Sequence, residues 1–257
     1  MMPKCGHEEC ERSVRLKRCF VSGALHAGDT LTLPAAASAH IGRVLRARPG
    51  DALTLFNGHG GEFDGQIQSI ERRGVRVRIG THQPVERESP LRVTLLQAVA
   101  RGERMDLIVQ KATELGVTTL VAWTAIRSIA RPDPDGRRKR QDHWHGIMVS
   151  ACEQCGRNRL PALELASDLE SAIAFSGDDR RLVLMPEASQ SLTVLARHSK
   201  NVTLLIGPEG GFAPEELSLA GEHGFVGARL GPRVLRAETA PLAALATLQA
   251  IAGDLAD

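Results

Sequence analysis

After residue 90 the chain alternates short apolar segments with amphipathic ones, and this alternation constrains the fold more than any other feature. Apolar runs of this length predict buried strands, and they lie at 91–98, 118–123, 181–184, 202–206 and 225–230. A helix is predicted at 103–115, because Met105 and Ile108 share one face and Gly116 provides a stop. Repeated strand and helix units predict an α/β fold, with a parallel sheet covered by helices on both faces.

The first ninety residues follow a different pattern, with short apolar stretches between turn signals such as Asn57-Gly58. Strict alternation over Val75–Ile79 predicts a half-buried strand, and His40–Arg46 predicts one helical interruption. A small β-barrel that contains a helix is the expected architecture. The polar segment Glu86–Pro90 predicts a linker between this part and the α/β part.

Composition excludes several classes of protein. Hydrophobic residues make up 42% of the 257 residues, which allows a buried core, yet no apolar run approaches the ~18 residues of a membrane span. The first seventeen residues mix acidic and basic side chains without an apolar stretch, so no secretory signal is predicted. Five cysteines, an odd number, favour reduced thiols. We therefore expect a cytoplasmic protein with no membrane partner.

Two groups of cysteines raise the question of metal or redox chemistry. Cys5, His7 and Cys10 have no fourth ligand at metal spacing, so we expect a frayed tail and no metal site. Cys152 and Cys155 form a C-x-x-C pair at the end of a long polar stretch, whereas redox pairs open a βαβ unit. We expect these two thiols to be structural or to face RNA.

The charge is distributed unevenly. Residues 1–90 hold 13 basic and 10 acidic side chains, a balance of +3, whereas residues 91–257 hold 19 and 20, a balance of −1. A further basic cluster consists of Arg127, Arg131, Arg137, Arg138, Lys139 and Arg140. Such patches attract polyanions, although a solvated face fits a single run equally well. Aromatic residues make up 3% and tyrosine is absent, so arginine contacts and shape, not base stacking, would have to bind an RNA.

A glycine-rich segment, Leu205–Phe212, directly follows an apolar strand. Open α/β sheets bind ligands at the carboxyl ends of their strands. The segment lacks the G-x-G-x-x-G pattern and the Lys-Ser/Thr pair of a P-loop, which argues against a dinucleotide or triphosphate site and against a nucleotide-dependent oxidoreductase. Taken alone, a tight turn without any ligand fits the pattern equally well.

Two further segments make the pattern more specific. Leu230–Ala240, with the sequence L-G-P-R-V-L-R-A-E-T-A, follows another apolar strand, and Glu153–Arg159 reads E-Q-C-G-R-N-R. Together with G-P-E-G-G these segments resemble the SPOUT methyltransferases, and E-Q-C-G-R-N-R resembles their 16S rRNA uracil-N3 methyltransferase branch. The resemblance continues at Arg15, Arg18, Phe20, His40–Arg46, Ser89–Leu91, Lys111–Gly116 and Arg127-Ser128, and so covers residues 15–257. Two departures are the additional residues 1–14 and Ala213, where the family commonly has a capping Ser or Thr.

The resemblance implies a tail at 1–14, a PUA-like β-barrel at 15–86 and a SPOUT domain at 90–257 with a trefoil knot around 205–240. It implies S-adenosylmethionine as the methyl donor, N3 of a uridine near the 3′ end of 16S rRNA in the small ribosomal subunit as the target, and a homodimer. The expected donor-binding residues are Leu205, Ile206, Gly207, Glu209, Gly210, Leu230, Gly231, Val234, Leu235, Arg236 and Thr239. The last helix, with leucines spaced three apart, is expected to be buried on all sides.

Residue roles follow from the chemistry of the implied reaction. Uracil N3 must lose a proton, so we expect Arg233 or Arg236 to stabilise negative charge and Glu238 to act as the base or its orienting partner. Equally, Glu238 could only fix the loop. The expected RNA-binding residues are Arg15, Arg18, Arg43 and Arg46 for phosphates, and Arg157, Asn158 and Arg159 nearer the target base. The alternatives are a SPOUT enzyme acting on another base or a ribose 2′-hydroxyl, and a non-catalytic ribosome-assembly protein that binds RNA.

Overall fold

The protein, represented by a computed structural model, is described over residues 17–127, 134–177 and 180–255. Its chain divides into two compact units. The first consists of the residues up to Arg87 together with Gly156–Arg159, and the second of Glu88–Cys155 and the residues from Leu160 onward. The division after Arg87 falls inside the predicted linker, whereas the return of Gly156–Arg159 to the first unit differs from the expectation of one continuous domain at 90–257.

The described part of the first unit is built on a five-stranded sheet in the order β1-β3-β4-β5-β2. Its elements are β1 (Arg18–Phe20), β2 (Thr30–Thr32), α1 (Ala35–Ala39), a π-helical turn (His40–Val44), β3 (Ala52–Phe56), β4 (Glu62–Glu71) and β5 (Gly74–Gln83). All pairs are antiparallel except β1 with β3. Val75, Val77 and Ile79 are buried while Arg76 and Arg78 are exposed, which confirms the predicted half-buried strand.

The second unit is an α/β fold, as predicted. Its strands are β6 (Arg92–Ala98), β7 (Thr119–Trp123), β8 (Ala162–Ala166), β9 (Arg180–Leu184), β10 (Asn201–Ile206) and β11 (Val226–Ala228). Its helices are α2 (Glu103–Glu114), α3 (Pro134–Cys155), α4 (Leu169–Ile173), α5 (Leu192–Leu195), α6 (Pro214–Glu222) and α7 (Thr239–Ala252). Within the described residues the strands form a six-stranded sheet in the order β11-β9-β10-β6-β7-β8, and every pair is parallel.

Side chains alternate across this sheet and form two cores. One core includes Leu95, Leu204 and residues of α2, α3, α5 and α7, and the other includes Leu96, Leu205 and residues of α4 and α6. The helices therefore cover both faces, as the alternating pattern predicted. Because the strands run in parallel, their carboxyl ends and the loops that follow them lie at one edge of the sheet.

Gly116 ends α2 for a reason that the structure makes explicit. Its φ of 78° lies in the left-handed region, and a Cβ there would stand 2.7 Å from the side-chain nitrogen of Gln249. The Gln249 amide donates to the carbonyl of Leu115 at 3.0 Å and accepts from the Ser89 hydroxyl at 2.6 Å. This buried glutamine of α7 thus fixes both the end of α2 and the start of the second unit.

The last helix departs from its predicted burial on all sides. Leu245 and Leu248 are fully buried, but Ala243, Ala246, Thr247 and Ala250 are not. These four positions form one face of α7 that consists of small residues. Among the described residues, no other part of the chain covers this face completely. No helix among the described residues is long and apolar enough to cross a membrane. The trefoil knot stays a prediction, because pairing order alone does not establish how the chain is threaded.

Candidate active site

A cavity of about 700 Å³ lies at the carboxyl ends of β9, β10 and β11. Ligand sites of small molecules span roughly 300–1,000 Å³, so the cavity has the size of a cofactor site. Three loops form its walls, at 184–187 after β9, at 206–212 after β10 and at 230–238 before α7. One residue from each of three helices completes the cavity: Arg104 of α2, Leu217 of α6 and Ala240 of α7. The site therefore occupies the sheet edge at which the sequence predicted a ligand.

The glycine-rich loop after β10 is held in shape by close packing. A Cβ on Gly207 would lie 2.7 Å from the ring of Phe212, and Gly211 has a φ of 72°. The Phe212 ring stacks on the buried Trp123, with ring centroids 6.1 Å apart. The guanidinium of Arg127 donates to the carbonyl of Gly210 at 3.0 Å. Gly207 and Gly211 are thus required by the path of the chain, and the contacts of Phe212 and Arg127 hold the loop in this shape.

The start of helix α6, which follows this loop, is capped by a buried glutamate and not by a hydroxyl. Ala213 occupies the N-cap position and its side chain makes no capping hydrogen bond. The Glu216 carboxylate accepts from the Ala213 backbone N–H at 2.7 Å and from the Ile126 N–H at 2.8 Å. A capping box consists of two reciprocal hydrogen bonds, and alanine at 213 removes the one that the N-cap side chain would accept. Glu216 keeps the other one, and its bond to Ile126 also joins the helix to the loop after β7.

The loop before α7 brings the three predicted catalytic residues to the cavity wall. Arg233 and Arg236 are exposed, and neither has an ion-pair partner among the described residues. Glu238 is mostly buried, with 16% of its side chain exposed. Its Oε2 atom is buried and has no hydrogen-bond partner within the described parts of the chain. A buried polar atom without a partner costs free energy and calls for a functional explanation.

Arg104 contacts acidic side chains of two different loops. Its Nη1 donates to Oε1 of Glu209 at 3.2 Å, and its Nε lies 3.9 Å from Oε1 of Glu238. Burial alone would raise the pKa of Glu209, but hydrogen bonds from backbone N–H groups and from Arg104 outweigh it and lower the pKa below its ordinary value. Glu209 is thus held as a carboxylate at the cavity wall.

The predicted donor-binding residues fall into two groups. Those that line the cavity are Ile206, Gly207, Glu209, Leu230, Val234, Leu235 and Arg236. The others are Leu205, Gly210, Gly231 and Thr239, which do not line it. Leu205 is fully buried against Leu96 and Val183, because alternate residues of a strand face opposite sides of the sheet. Its side chain is therefore part of the core.

Several cavity residues were missed by the sequence reasoning. They are Arg104, Leu184, Met185, Pro186, Glu187, Pro208, Gly211, Phe212, Leu217, Ala237 and Ala240. The segment 184–187 follows the predicted strand at 181–184, so the rule about carboxyl ends of parallel strands could have found it. Arg104 offered no such signal, because a single arginine at the start of a helix is indistinguishable from a surface charge.

The predicted RNA-binding residues differ in exposure. Arg15 lies outside the described residues. Arg43 and Arg46 are exposed on and just after the π-helical turn, and Arg159 is half-exposed. Arg18, Arg157 and Asn158 are buried within the first unit, with 5% of the Arg18 side chain exposed. In this structure these three residues present almost no surface to an RNA, so their predicted role would require the first unit to rearrange.

The contacts of the buried residues explain why Gly156–Arg159 belongs to the first unit. Arg18 donates to Glu62 at 2.6 Å and to the side chain of Asn158. The Asn158 amide donates to Glu62 at 3.1 Å and to the carbonyl of Val85 at 2.7 Å. Every polar atom of the Asn158 side chain is therefore bonded inside the unit.

The residues of the cavity fit a cationic adenosine derivative such as S-adenosylmethionine. Leu184, Ile206, Leu230 and Leu235 provide apolar walls for an adenine, and glycine at 207 lets the backbone approach closely. Glu187 and Glu209 supply carboxylates for positive groups. Among the described residues there is no cluster of side chains that could hold a metal ion.

Two family models match the chain. A model described as an RNA methyltransferase domain matches residues 87–249, and one described as an RNA methyltransferase PUA domain matches residues 33–80. The first match contains all three loops of the cavity. The second match covers most of the sheet of the first unit, and so supports a PUA-like domain there.

Solved structures and curated proteins resemble the chain over nearly its whole length. A methyltransferase from Legionella pneumophila in complex with the cofactor SAM has a TM-score of 0.89 and 41% identity, covering 94% of this chain and 100% of that one. A ribosomal RNA small subunit methyltransferase E from Neisseria gonorrhoeae bound to S-adenosyl methionine has a TM-score of 0.86 and 34% identity, covering 93% and 99%. The ribosomal RNA small subunit methyltransferase E of Buchnera aphidicola is 32% identical over 242 residues, 94% of this chain and 98% of that protein.

Proposed function

The chain belongs to the ribosomal RNA small subunit methyltransferase E family, and we propose on that premise that it methylates N3 of one uridine near the 3′ end of 16S rRNA. It is an S-adenosylmethionine-dependent rRNA methyltransferase. The choice of N3 and of a single uridine rests on the resemblance of the E-Q-C-G-R-N-R segment at Glu153–Arg159 to the uracil-N3 branch.

The observation that best supports this proposal is the composition of one cavity wall. Arg233, Arg236 and Glu238 lie together on the loop before α7, beside the apolar and glycine-lined part of the cavity. Cations and a carboxylate next to a donor site are the groups that deprotonation of an imide nitrogen needs. A protein that only bound RNA would have no use for a carboxylate with a buried, unbonded oxygen at this place.

The proposed chemistry divides the work between two kinds of residue. Bound S-adenosylmethionine supplies a methyl group that its sulfonium already activates. Glu238 accepts the N3 proton of the uracil, so that the nitrogen lone pair can form the new N–C bond while the bond between the methyl group and sulfur breaks and the donor is left as a neutral thioether. Arg236 or Arg233 stabilises the negative charge that spreads onto O2 and O4. Positioning of the two reactants contributes further to the rate. In the competing account Glu238 only fixes the loop.

RNA binding is proposed to involve the exposed arginines of the first unit. Arg43 and Arg46 protrude from the π-helical turn and its end, where phosphate contacts would position the RNA without reading its sequence. Arg159, which is half-exposed, remains a candidate for contacts nearer the target base. An enzyme that acts on ribosomal RNA is expected in the cytoplasm of a bacterium.

A homodimer is also proposed. The face of α7 formed by Ala243, Ala246, Thr247 and Ala250 is partly uncovered, and Val234 is 80% exposed at the cavity rim. An apolar surface that is left partly uncovered on a helix suits contact with a second copy. Light scattering of the purified chain tests the proposal, because a monomeric mass at micromolar concentration would contradict it.

The decisive experiment is methyl transfer from labelled S-adenosylmethionine to small ribosomal subunits that lack the modification, followed by mass mapping of the product. Label at N3 of a single uridine near the 3′ end of 16S rRNA is the expected result. Label at another base or at a ribose 2′-hydroxyl would overturn the proposed target but keep the enzyme class. Donor binding without any transfer would favour the non-catalytic alternative.

A further inference from the structure

Arg104 stands at a place where helix electrostatics disfavour a cation. It is the second residue of α2, whose first turn otherwise contains the acidic residues Glu103 and Asp106. The N-terminal end of a helix carries partial positive charge, so a basic side chain there is repelled. Local propensity therefore gives no reason for an arginine at this position, and violations of local rules concentrate at functional sites.

The sheet order explains how Arg104 reaches the cavity. Strand β6 lies beside β10, so the helix that follows β6 begins next to the glycine-rich loop that follows β10. Arg104 lines the cavity, with 47% of its side chain exposed. The neighbouring Arg101 is exposed and does not line it, and it reaches Glu209 only through its backbone N–H, at 3.5 Å, which a side-chain substitution retains. Two arginines three residues apart thus differ in their access to the site.

The contacts of Arg104 join two loops that are distant in sequence. Glu209 belongs to the glycine-rich loop and Glu238 to the loop before α7, and both direct their Oε1 atoms at the Arg104 guanidinium, at 3.2 Å and 3.9 Å. For the Glu238 carboxylate, Arg104 is the one polar partner recorded within the described residues. An arginine can hold two carboxylates at once because its planar group presents several fixed donors.

A purely stabilising role does not account for this arrangement. Ion pairs with a half-exposed arginine contribute little to folding, since solvent screens them. The contacts instead bridge two cavity walls and include Glu238, whose second oxygen has no partner in the described structure. Small displacements of groups around a reacting atom reduce rates strongly. A contact that contributes little to folding can therefore have a large effect on the rate when it orients such a group.

We propose that Arg104 is a positioning residue of this active site, which holds the two cavity loops together through Glu209 and orients Glu238 through its Oε1 atom. The inference rests on the proposed function, because it concerns how the methyl-transfer site is assembled. Arg104 is not assigned any contact with the reacting atoms. Its removal is expected to loosen both loops while the fold persists.

The test uses the full chain and compares wild type with Arg104→Gln, Arg104→Lys and the control Arg101→Gln. Donor affinity is measured by calorimetry with S-adenosylmethionine, and the single-turnover rate is measured on unmodified small subunits at saturating donor. Arg104→Gln is expected to lower that rate about 10- to 100-fold, with a smaller loss of donor affinity and an unchanged melting temperature. Arg104→Lys keeps the charge and should recover part of the rate, while Arg101→Gln should match wild type.

A double-mutant cycle with Glu209→Gln gives a second readout. Since Glu209 is one of the two anchors, Arg104→Gln should cost less in the Glu209→Gln background than in wild type. Rates and donor affinities of Arg104→Gln within twofold of wild type would overturn the inference. It would also be overturned if the rate loss of the double variant equalled the product of the two single losses, because the two residues would then act independently. If the wild-type chain binds the donor but does not methylate small subunits, the proposed function fails separately, and the donor affinities still test Arg104.

Discussion

The side-chain amide of Asn158 donates to the carboxylate of Glu62 at 3.1 Å, across 96 residues of sequence. Glu62 accepts further hydrogen bonds from Arg18 at 2.6 Å and from Arg87 at 3.1 Å. One largely buried carboxylate thus collects three donors from three separate segments of the first unit. These hydrogen bonds explain why Gly156–Arg159 belongs to the first unit, although the residues on either side of this segment belong to the second unit.

Replacing Glu62 by Gln is expected to destabilise the first unit by about 3 kcal/mol near neutral pH, because the substitution leaves the buried Arg18 guanidinium without its counter-charge. Burial would raise the pKa of Glu62, but the hydrogen bonds from Arg18, Asn158 and Arg87 lower it below its ordinary value of 4.5. A lowered pKa in the folded state means that the stabilisation is complete above about pH 4.5 and is lost as the pH falls through the folded-state pKa.

The measurement is the free energy of unfolding in urea at several pH values, with amide hydrogen exchange of the first unit as a local probe. The difference between wild type and Glu62→Gln should be constant near neutral pH and should shrink below about pH 4.5. Glu71→Gln provides the control, since Glu71 is an exposed carboxylate on the same strand. A pH-independent difference, or an equal effect of Glu71→Gln, would show that the charge of Glu62 is not what stabilises the unit.

Much of the second unit was predictable because its strands are short, apolar and regularly spaced. Leu91–Ala98 and the helix that ends at Gly116 were found almost to the residue. Strand β8 (Ala162–Ala166) was missed, because Ala, Leu and Glu favour helices and only pairing with β7 makes this segment a strand. The motifs also identified the family, which the family models and the relatives confirm.

The candidate site was predictable in outline and not in detail. The glycine-rich loop follows β10, and the loop that contains Arg233 and Arg236 follows β11. Both strands belong to the parallel sheet, so it could be inferred that the two loops lie at the same edge of that sheet. Which residues face the cavity could not, as Leu205 in the core and Arg104 at the wall illustrate. The burial of Asn158 was also beyond the sequence, because it depends on partners at residues 18, 62 and 85 that no local pattern reveals.

Gly207→Ala is expected to weaken donor binding by about tenfold or more. The added Cβ would lie 2.7 Å from the Phe212 ring, so either the ring leaves its stack on Trp123 or the loop shifts. Calorimetry with S-adenosylmethionine measures the effect. Gly221→Ala in α6 is the matched control: its Cβ meets nothing within 4 Å, so donor affinity should not change. Unaltered affinity of Gly207→Ala would mean that the close approach at this glycine does not shape the site.

Arg43→Ala is expected to reduce affinity for small-subunit RNA and to lower the salt dependence of binding by about one unit of slope, as the loss of one phosphate contact does. Binding would be measured at several salt concentrations. Arg197→Ala removes the same charge from an exposed site just before β10, at the opposite edge of the sheet from the cavity, and should leave the slope unchanged. An identical slope for Arg43→Ala and wild type would exclude a phosphate contact by Arg43.

Arg236→Ala is expected to lower turnover about 100- to 1,000-fold with little change in donor affinity, since a cation that meets developing negative charge acts mainly in the transition state. Arg236 is exposed at the cavity wall, so its removal should not unfold the protein. The control is Arg229→Ala, an exposed arginine outside the cavity, which should retain full turnover. If Arg236→Ala folds, binds the donor and turns over normally, the role assigned to Arg236 is wrong and Arg233 becomes the candidate cation.

Glu238→Gln separates the two accounts of this residue, because it keeps the shape of the side chain and removes its ability to take a proton. If Glu238 is the base, turnover should fall about 100- to 10,000-fold while donor affinity and melting temperature stay close to those of wild type. If it only fixes the loop beside Arg104, the amide oxygen keeps the same place, 3.9 Å from the Arg104 Nε, and loses only a weak ion pair, so turnover should fall no more than about tenfold, together with donor affinity. The two accounts thus predict opposite relations between turnover and binding, and measuring both on one preparation distinguishes them.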